Sequence, residues 1–348
     1  MSSFTSKTLL SALAAAASVS AHGHVTNVVI NGVSYPNYDP FSHPYMQNPP
    51  TVIGWTAGNT DNGFVAPSAF DSGDIICHRS ATNAGGHAVV AAGDKILLQW
   101  DTWPESHHGP VIDYLADCGD AGCETVDKME LEFFKIDEVG LVDGTNAPGF
   151  WGSDQLIANN NSWMVQIPSD LAPGNYVLRH EIIALHSGGD PDGAQNYPQC
   201  INLQVTGSGT AKPAGTLGTA LYKADEPGIQ ANIYSTPVTY ENPGPALIEN
   251  AVILEQTTSA ITASGSATTG SATAAPAPAT SSAASDASTT EVPASPTTTA
   301  AAETSAAAPT TAAAAPTTTT AAPVPTRCPG LKKKKRSNRR HARDVRRH

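Results

Sequence analysis

The chain has 348 residues, with 31 acidic and 19 basic side chains and a formal net charge of −12. Residues 327–348 carry 11 of the 19 Lys and Arg residues, so the rest of the chain is more acidic still. This balance argues against nucleic acid as a partner and favours a soluble protein with a neutral partner. No segment approaches the roughly 18 consecutive apolar residues of a membrane span, so no membrane partner is expected.

Residues 1–21 have the three zones of a secretory leader. Lys7 supplies the positive zone, residues 9–17 the short apolar zone, and Val19-Ser20-Ala21 the small-residue cleavage site. The pattern predicts a secreted, extracellular protein. Cleavage after Ala21 would make His22 the first residue, and its free amine and imidazole ring could then chelate one metal ion.

The composition predicts one folded domain over residues 22–248, which contains every Trp of the chain. From residue 249 to 326 the chain becomes rich in Ser, Thr, Ala and Pro, which is typical of a disordered, O-glycosylated linker. A basic tail, residues 327–348, follows. It contains only one cysteine, Cys328, which is too few for a disulfide-stapled binding module.

Four cysteines lie in the predicted domain, namely Cys77, Cys118, Cys123 and Cys200. In a secreted domain they predict two disulfides, for which three pairings are possible. The most compact pairing joins Cys118 to Cys123 and Cys77 to Cys200. The sequence Asn160-Asn161-Ser162 is a glycosylation acceptor at Asn160 and predicts a surface loop there.

The apolar periodicity is that of β-strands. Apolar residues alternate with polar ones in four segments, around residues 96–100, 129–133, 163–167 and 201–205. Tyr176 follows a Pro-Gly-Asn turn and precedes a long apolar run, as at the corner of an immunoglobulin-like sandwich. The fold class predicted is all-β: an immunoglobulin-like antiparallel β-sandwich with long loops, followed by a disordered tail.

Three histidine-bearing segments are candidates for a metal site. His22 is special by position, although processing could expose such a histidine by accident. His107 and His108 follow a predicted strand on a loop stiffened by two prolines, so that one of them could be a ligand while the other points elsewhere. Residues 186–200 carry His186, Gln195 and Tyr197 on what could equally be an ordinary Gly- and Asp-rich loop. Planar nitrogen ligands favour Cu(II).

The alternative interpretation is a glycosidase, which would use a pair of carboxylates. Asp101, Glu105, Asp113 and Glu181 are candidates, but neither spacing nor an apolar surround marks any pair. Surface carboxylates explain them more simply.

Four motifs, taken together and in order, resemble the fungal lytic polysaccharide monooxygenases of auxiliary-activity family nine, formerly filed among glycoside hydrolases. They are HGHV at 22–25, WPESHHGPV at 103–111, YVLRHEIIALH at 176–186 and QNYPQCINL at 195–203. The resemblance covers residues 22–248.

The resemblance implies a copper ion held by the amine and ring of His22, the ring of His107 and, axially, the hydroxyl of Tyr197, with His108 not ligating. It implies that His186 and Gln195 support the chemistry beside Tyr197. It also implies the disulfides Cys77–Cys200 and Cys118–Cys123. Tyr45 and Tyr234 match the exposed aromatics with which family members lie on cellulose, although each alone reads as a half-buried tyrosine.

The implied activity is oxidative cleavage of cellulose by a monomeric enzyme. A reductant and O2 or H2O2 drive hydroxylation at C1 or C4 of a glucosyl unit, and the glycosidic bond then breaks by elimination. Two alternatives remain at this stage: a non-catalytic secreted copper- or wall-binding protein, and a carboxylate glycosidase.

Overall fold

The computed structural model describes residues 22–270. The predicted leader (1–21), the predicted linker from residue 271 onward and the basic tail with Cys328 lie outside the described residues. Within residues 22–270, no helix is both long enough and apolar enough to cross a membrane.

The first of two large sheets has five strands. One of its inner strands is the alternating segment around residues 96–100, whose residues Ile96, Leu98 and Trp100 are buried. In spatial order the strands are β13 (Ala263–Ser264), β2 (Val33–Pro36), β1 (Val25–Ile30), β4 (Lys95–Trp100) and β9 (Ser162–Gln166).

The second large sheet has six strands, and the two at its centre are buried on both faces over most of their length. In spatial order the strands are β12 (Thr216–Leu217), β6 (Glu132–Val139), β5 (Val111–Asp117), β10 (Gly174–Ala184), β11 (Gln195–Thr206) and β3 (Ala88–Ala91). A small third sheet pairs β7 (Leu141–Asp143) with β8 (Phe150–Trp151). The two α-helices within residues 22–270 are short: α1 (Asp74–Cys77) and α2 (Gly152–Ala158).

The all-β sandwich predicted from the periodicity is confirmed. The pairing is antiparallel except at two sheet edges, where β3 runs parallel to β11 and β13 runs parallel to β2. The hydroxyl of Tyr176 donates to the carbonyl oxygen of Ala172 at 2.9 Å, which is the hydrogen bond expected at a tyrosine corner.

The segment predicted as a strand around residues 129–133 begins differently. Lys128–Glu130 forms a 3-10 turn, because the Asp127 carboxylate accepts from the backbone N–H of Met129 and caps it. The Met129 side chain is 44% exposed, and β6 begins only at Glu132.

Two apolar cores lie on opposite faces of the six-stranded sheet. Alternate residues of β10, such as Leu178 and Ile182, face the first sheet, while Val177 and Ile183 face a second core under the long loops and α1. Both disulfides, Cys77–Cys200 and Cys118–Cys123, lie in this second core. They therefore tie α1 and a short loop to the sheet.

Residues 249–270, predicted as the start of a linker, instead lie along the sandwich. The backbone N–H of Met164 donates to Gln256 Oε1 at 2.7 Å, β13 pairs with β2, and Thr268 exchanges backbone hydrogen bonds with His87 at 2.9 Å. Leu254 packs on an apolar patch of the first sheet's outer face. The composition of residues 249–270 does not predict these contacts, because most of them are made by backbone atoms.

Candidate active site

The strand ends bring the predicted site residues to one end of the sandwich. His22 precedes β1, whose first residue Val25 pairs with Trp100 at the end of β4. The N-terminal arm (residues 22–24) and the loop after β4 therefore lie side by side. On the other sheet, Ala184 at the end of β10 pairs with Gln195 at the start of β11. His186, Gln195 and Tyr197 therefore lie at the same end of the sandwich as His107.

The rings of four predicted residues contact one another. The Nε2 atoms of His22 and His107 lie 2.9 Å apart. The Tyr197 ring stacks on the His22 ring with 5.1 Å between centroids, and the His186 ring lies 4.0 Å from that of His107. Nitrogen atoms from three separate segments thus converge on one small volume.

The loop that carries His107 is held by close backbone packing. At Gly109 a Cβ atom would lie 1.8 Å from the carbonyl oxygen of Ile183, so only glycine lets this loop run beside β10. The Trp103 indole N–H donates to the His107 carbonyl oxygen at 3.0 Å, and Ser106 Oγ lies 3.0 Å from His107 Nδ1. These contacts leave His107 Nε2 directed towards His22.

His108 turns away from the other histidines. Its Nδ1 lies 3.0 Å from both carboxylate oxygens of Asp154 at the start of α2. Of the two adjacent histidines, therefore, only His107 reaches the cluster.

Burial keeps the clustered rings uncharged. It lowers the pKa of His107 to about 3, with further lowering by the neighbouring His186 and His22. Burial, and then neighbouring histidines, also lower the pKa values of His22 and His186. A neutral ring nitrogen is the form that binds a metal.

Tyr197 and Gln195 form a bonded pair at the start of β11. The Tyr197 hydroxyl donates to Gln195 Oε1 at 2.8 Å, and burial raises the pKa of this phenol well above its usual value. The phenol therefore stays protonated at neutral pH. His186 differs, because its Nδ1 is buried and has no hydrogen-bond partner among the described residues.

Whether the residues fit a metal depends on two side chains and one terminal group. Within residues 22–270, no group of three or more His, Cys, Asp and Glu side chains is placed to hold a metal ion. The predicted set contains only two such side chains, His22 and His107, and needs the α-amine that cleavage before His22 creates. The predicted donors are uncharged imidazole nitrogens and an amine, which suit copper, so the residues fit by donor type. The amine and ring of one histidine chelate a metal through Nδ1, so the contact between the Nε2 atoms of His22 and His107 brings the two rings together without itself being the ligand geometry.

The two predicted substrate-binding tyrosines are exposed, so the half-buried reading of each was wrong. Tyr45 is 78% exposed at the end of the 3-10 turn His43–Tyr45, and Tyr234 is 60% exposed. Asn232 Oδ1 accepts from the Tyr234 N–H at 2.9 Å and fixes that turn. Asn160, the predicted glycosylation site, is also exposed, in the turn after α2.

The four candidate carboxylates do not form a pair. Asp113 and Glu181 are fully buried on opposite faces of the six-stranded sheet, where Asp113 bonds to His180 and Glu181 bonds to Arg179. Asp101 accepts backbone N–H groups, and Glu105 is exposed. A two-carboxylate glycosidase site at these residues has no support in this arrangement.

Sequence reasoning missed the residues that hold the N-terminal arm. Asn62 donates its side-chain amide to the His22 carbonyl oxygen at 2.7 Å, although it is far away in sequence. The Asn62-Gly63 pair signals only a turn in the sequence, so nothing there marked the contact with His22.

The sandwich brings histidine ring nitrogens together at one end, and comparison with known proteins gives the family. The profile of Auxiliary Activity family 9 (formerly GH61) matches residues 22–241. The chain belongs to this family of lytic polysaccharide monooxygenases. Its class of activity is therefore oxidative cleavage of polysaccharides.

Relatives and solved structures agree with this assignment. The chain is 63% identical over 264 residues to AA9 family lytic polysaccharide monooxygenase D of Podospora anserina, covering 76% of each chain. It is 58% identical over 260 residues to AA9 family lytic polysaccharide monooxygenase cel61A of Hypocrea jecorina, covering 74% of this chain and 75% of that one. The solved extended catalytic domain of H. jecorina LPMO9A, also called EG4, matches with a TM-score of 0.70 and 58% identity, covering 72% of this chain and all of that one.

Proposed function

We propose that the mature protein is a secreted, monomeric, copper-dependent enzyme that oxidatively cleaves cellulose. It would hydroxylate C1, C4 or both of a glucosyl unit and use an external electron donor with O2 or H2O2. The observation that carries the proposal is the convergence of the His22 and His107 ring nitrogens, 2.9 Å apart, beside Tyr197 and His186.

The copper ion would be held by the amine and ring of His22, the ring of His107 and the hydroxyl of Tyr197. When bound, it would supply one-electron redox chemistry and activation of the oxygen co-substrate. The lowered pKa values of both histidines favour binding, since neither ring has to lose a proton at neutral pH. Tyr197 stays protonated and would therefore act as a neutral, weak donor.

His186 and Gln195 would handle protons and hydrogen bonds at the oxygen co-substrate. His186 presents a neutral ring with an unpartnered Nδ1, which can accept or relay a proton. Gln195 holds the Tyr197 hydroxyl in place through its Oε1. Overall, one C–H bond becomes C–OH while O2, two electrons and two protons yield one water, or H2O2 alone yields one water.

Tyr45 and Tyr234 would contact the cellulose surface. Exposed aromatic rings can stack on the faces of sugar rings, and the uncharged substrate suits the acidic chain. Secretion rests on the predicted leader, whose removal would also create the metal-binding amine.

The test is a product assay on cellulose with and without reductant, read by mass spectrometry. We expect aldonic acids, C4-ketoaldoses or both, only with reductant and copper, and none from His107→Ala. Reducing-end sugars formed without reductant would instead indicate a glycosidase. Tight copper binding with no product under any condition would indicate the non-catalytic copper- or wall-binding alternative.

A further inference from the structure

The N-terminal arm, residues 22–24, is held at both ends by side chains from two different loops. At one end the Asn62 amide donates to the His22 carbonyl oxygen at 2.7 Å. At the other end the His24 backbone N–H donates to Asp101 Oδ1 at 2.9 Å. Both contacts are with backbone atoms, so they fix where the chain runs whatever the His22 ring does.

Gly23, between these two contacts, lies directly against the loop that leads to His107. A Cβ atom at this position would lie 2.0 Å from the Thr102 carbonyl oxygen and 2.5 Å from Asp101 Oδ1. Both distances are far below a van der Waals contact, and the nearer atom belongs to the backbone. The arm can occupy this position only with glycine.

Asn62 belongs to a turn with hydrogen bonds of its own. The residue is 6% exposed and has φ of 52°, a left-handed conformation that asparagine adopts more readily than most residues. The Asn62 N–H donates to the Asn59 carbonyl oxygen at 2.7 Å, and the Gly63 N–H donates to Asp61 Oδ1 at 2.9 Å. The amide of Asn62 is thus positioned by the turn rather than by the arm.

Asp101 couples the arm to the other half of the site. It directly follows β4, and its Oδ1 also accepts from the Thr102 N–H at 2.9 Å. The same carboxylate oxygen therefore holds both His24 and the first residue of the loop that carries His107. Moving this oxygen would change the spacing between the two histidine-bearing segments.

We propose that Asn62 and Asp101 are positioning residues that clamp the backbone of residues 22–24 and hold His22 opposite His107 before any metal binds. The effect on copper rests on the function proposed above, whereas the effect on the backbone does not. Preorganised donors lower the cost of ordering a site, so the clamp raises metal affinity.

The experiment uses the mature full-length protein, beginning at His22, with Asp101→Ala, Asp101→Asn and Asn62→Gly. Asparagine keeps an acceptor oxygen, and glycine keeps the left-handed turn while deleting the amide. Asp143→Ala is the matched control, since the Asp143 carboxylate also accepts a backbone N–H, from Thr145 at 2.9 Å, but the residue lies outside the cluster.

Two quantities are measured: hydrogen exchange of the His24 amide in the metal-free protein, by NMR, and Cu(II) affinity with the electron paramagnetic resonance spectrum. We expect Asp101→Ala and Asn62→Gly to speed exchange and to weaken copper binding about tenfold, the equivalent of one lost hydrogen bond. We also expect an altered spectrum for both, while Asp101→Asn and Asp143→Ala resemble the wild type.

Unchanged His24 exchange in both Asp101→Ala and Asn62→Gly would overturn the clamp, as would Asp101→Asn behaving like Asp101→Ala. If the wild-type protein binds no Cu(II), the proposed function fails, yet the exchange data on metal-free protein still decide the clamp. Failure of one proposal is therefore distinguishable from failure of the other.

Discussion

Histidines at the loop end of the sandwich and a histidine in its interior have opposite surroundings. His180 lies between the sheets, where Trp100 donates to its Nε2 at 2.9 Å and its Nδ1 donates to Asp113 at 2.8 Å. At the loop end, His22 and His107 present ring nitrogens to each other, and His186 has a buried Nδ1 without a partner. Both ring nitrogens of His180 are therefore hydrogen-bonded within the protein, whereas the clustered rings at the loop end include a nitrogen, His186 Nδ1, without a partner among the described residues.

An orphaned nitrogen alone does not mark a site. His78 and His87 each have a buried Nε2 without a partner among the described residues, and neither joins a cluster of rings. What distinguishes the loop end is convergence, since nitrogens from three segments meet within one small volume. A buried polar group is costly unless it is bonded, so the unpartnered Nδ1 of His186 beside these converging rings indicates a function that offsets the cost.

The strongest test of this difference is to block the terminal amine. A variant that retains Ala21 before His22 turns that amine into a peptide nitrogen and removes one proposed ligand. We expect complete loss of the bound-Cu(II) paramagnetic resonance signal and of oxidised products. The metal-free protein should unfold at the wild-type urea concentration, because no packing contact is changed.

A retained, unaltered Cu(II) spectrum in this variant would contradict the terminal-amine ligand. A loss of stability in the metal-free form would mean that the arm is damaged and that the variant tests folding instead.

The converse test removes the interior histidine. His180→Leu keeps a similar volume but leaves the Asp113 carboxylate and the Trp100 N–H unpartnered in the core. We expect the free energy of unfolding to fall by about 3–5 kcal/mol, as for other broken buried pairs. Urea unfolding measures this loss. At low temperature, where the variant remains folded, its Cu(II) spectrum should match that of the wild type; an altered spectrum would contradict the separation of the two regions.

The same division explains how much of the fold the sequence predicts. Period-two apolar alternation marks strands because residues such as Ile96, Leu98 and Trp100 face one core, and all three are buried. The interior polar residues gave no such signal. Asp113 and His180 look like surface residues in sequence, and only the register that places them opposite each other makes them partners.

The candidate site is predicted in part from the sequence. Motifs that resemble a known family predict His22, His107 and Tyr197. Spacing does not, because contacts between segments far apart in sequence depend on strand register. Asn62 was missed for the same reason, since its contact with His22 joins residues 40 positions apart. Leu254 was missed because an apolar residue in a Ser- and Thr-rich segment has no periodic neighbours.

Asp137 is an interior carboxyl group whose hydrogen bonds are incomplete. Trp163 donates to its Oδ2 at 2.8 Å, but its Oδ1 has no partner among the described residues. Burial and then the opposing Asp113 carboxylate raise the pKa of Asp137 to about 8. Between the ordinary carboxyl pKa near 4 and this raised value, the folded state binds a proton that the unfolded state lacks.

The stability contribution of Asp137 therefore falls as pH rises through that window. Asp137→Asn keeps the acceptor for Trp163 and cannot ionise. We expect it to match the wild type at pH 4 and to exceed it at pH 8 by at least about 1.4 kcal/mol, the equivalent of one pKa unit. Urea unfolding across this range measures the difference, and parallel curves for the two proteins would contradict the raised pKa.

The smallest expected effect concerns the outer face of the first sheet. Leu254 there covers an apolar patch of Val29, Leu97 and Met164. Leu254→Ala should lower the free energy of unfolding by about 1 kcal/mol, less than for a fully buried leucine because Leu254 is only partly buried. Val252→Ala is the matched control, since Val252 is exposed on the same segment. Equal stability of the two variants would show that residues 249–270 do not stabilise the sandwich through this contact, whereas a loss confined to Leu254→Ala would extend the folded domain past the predicted boundary at residue 248.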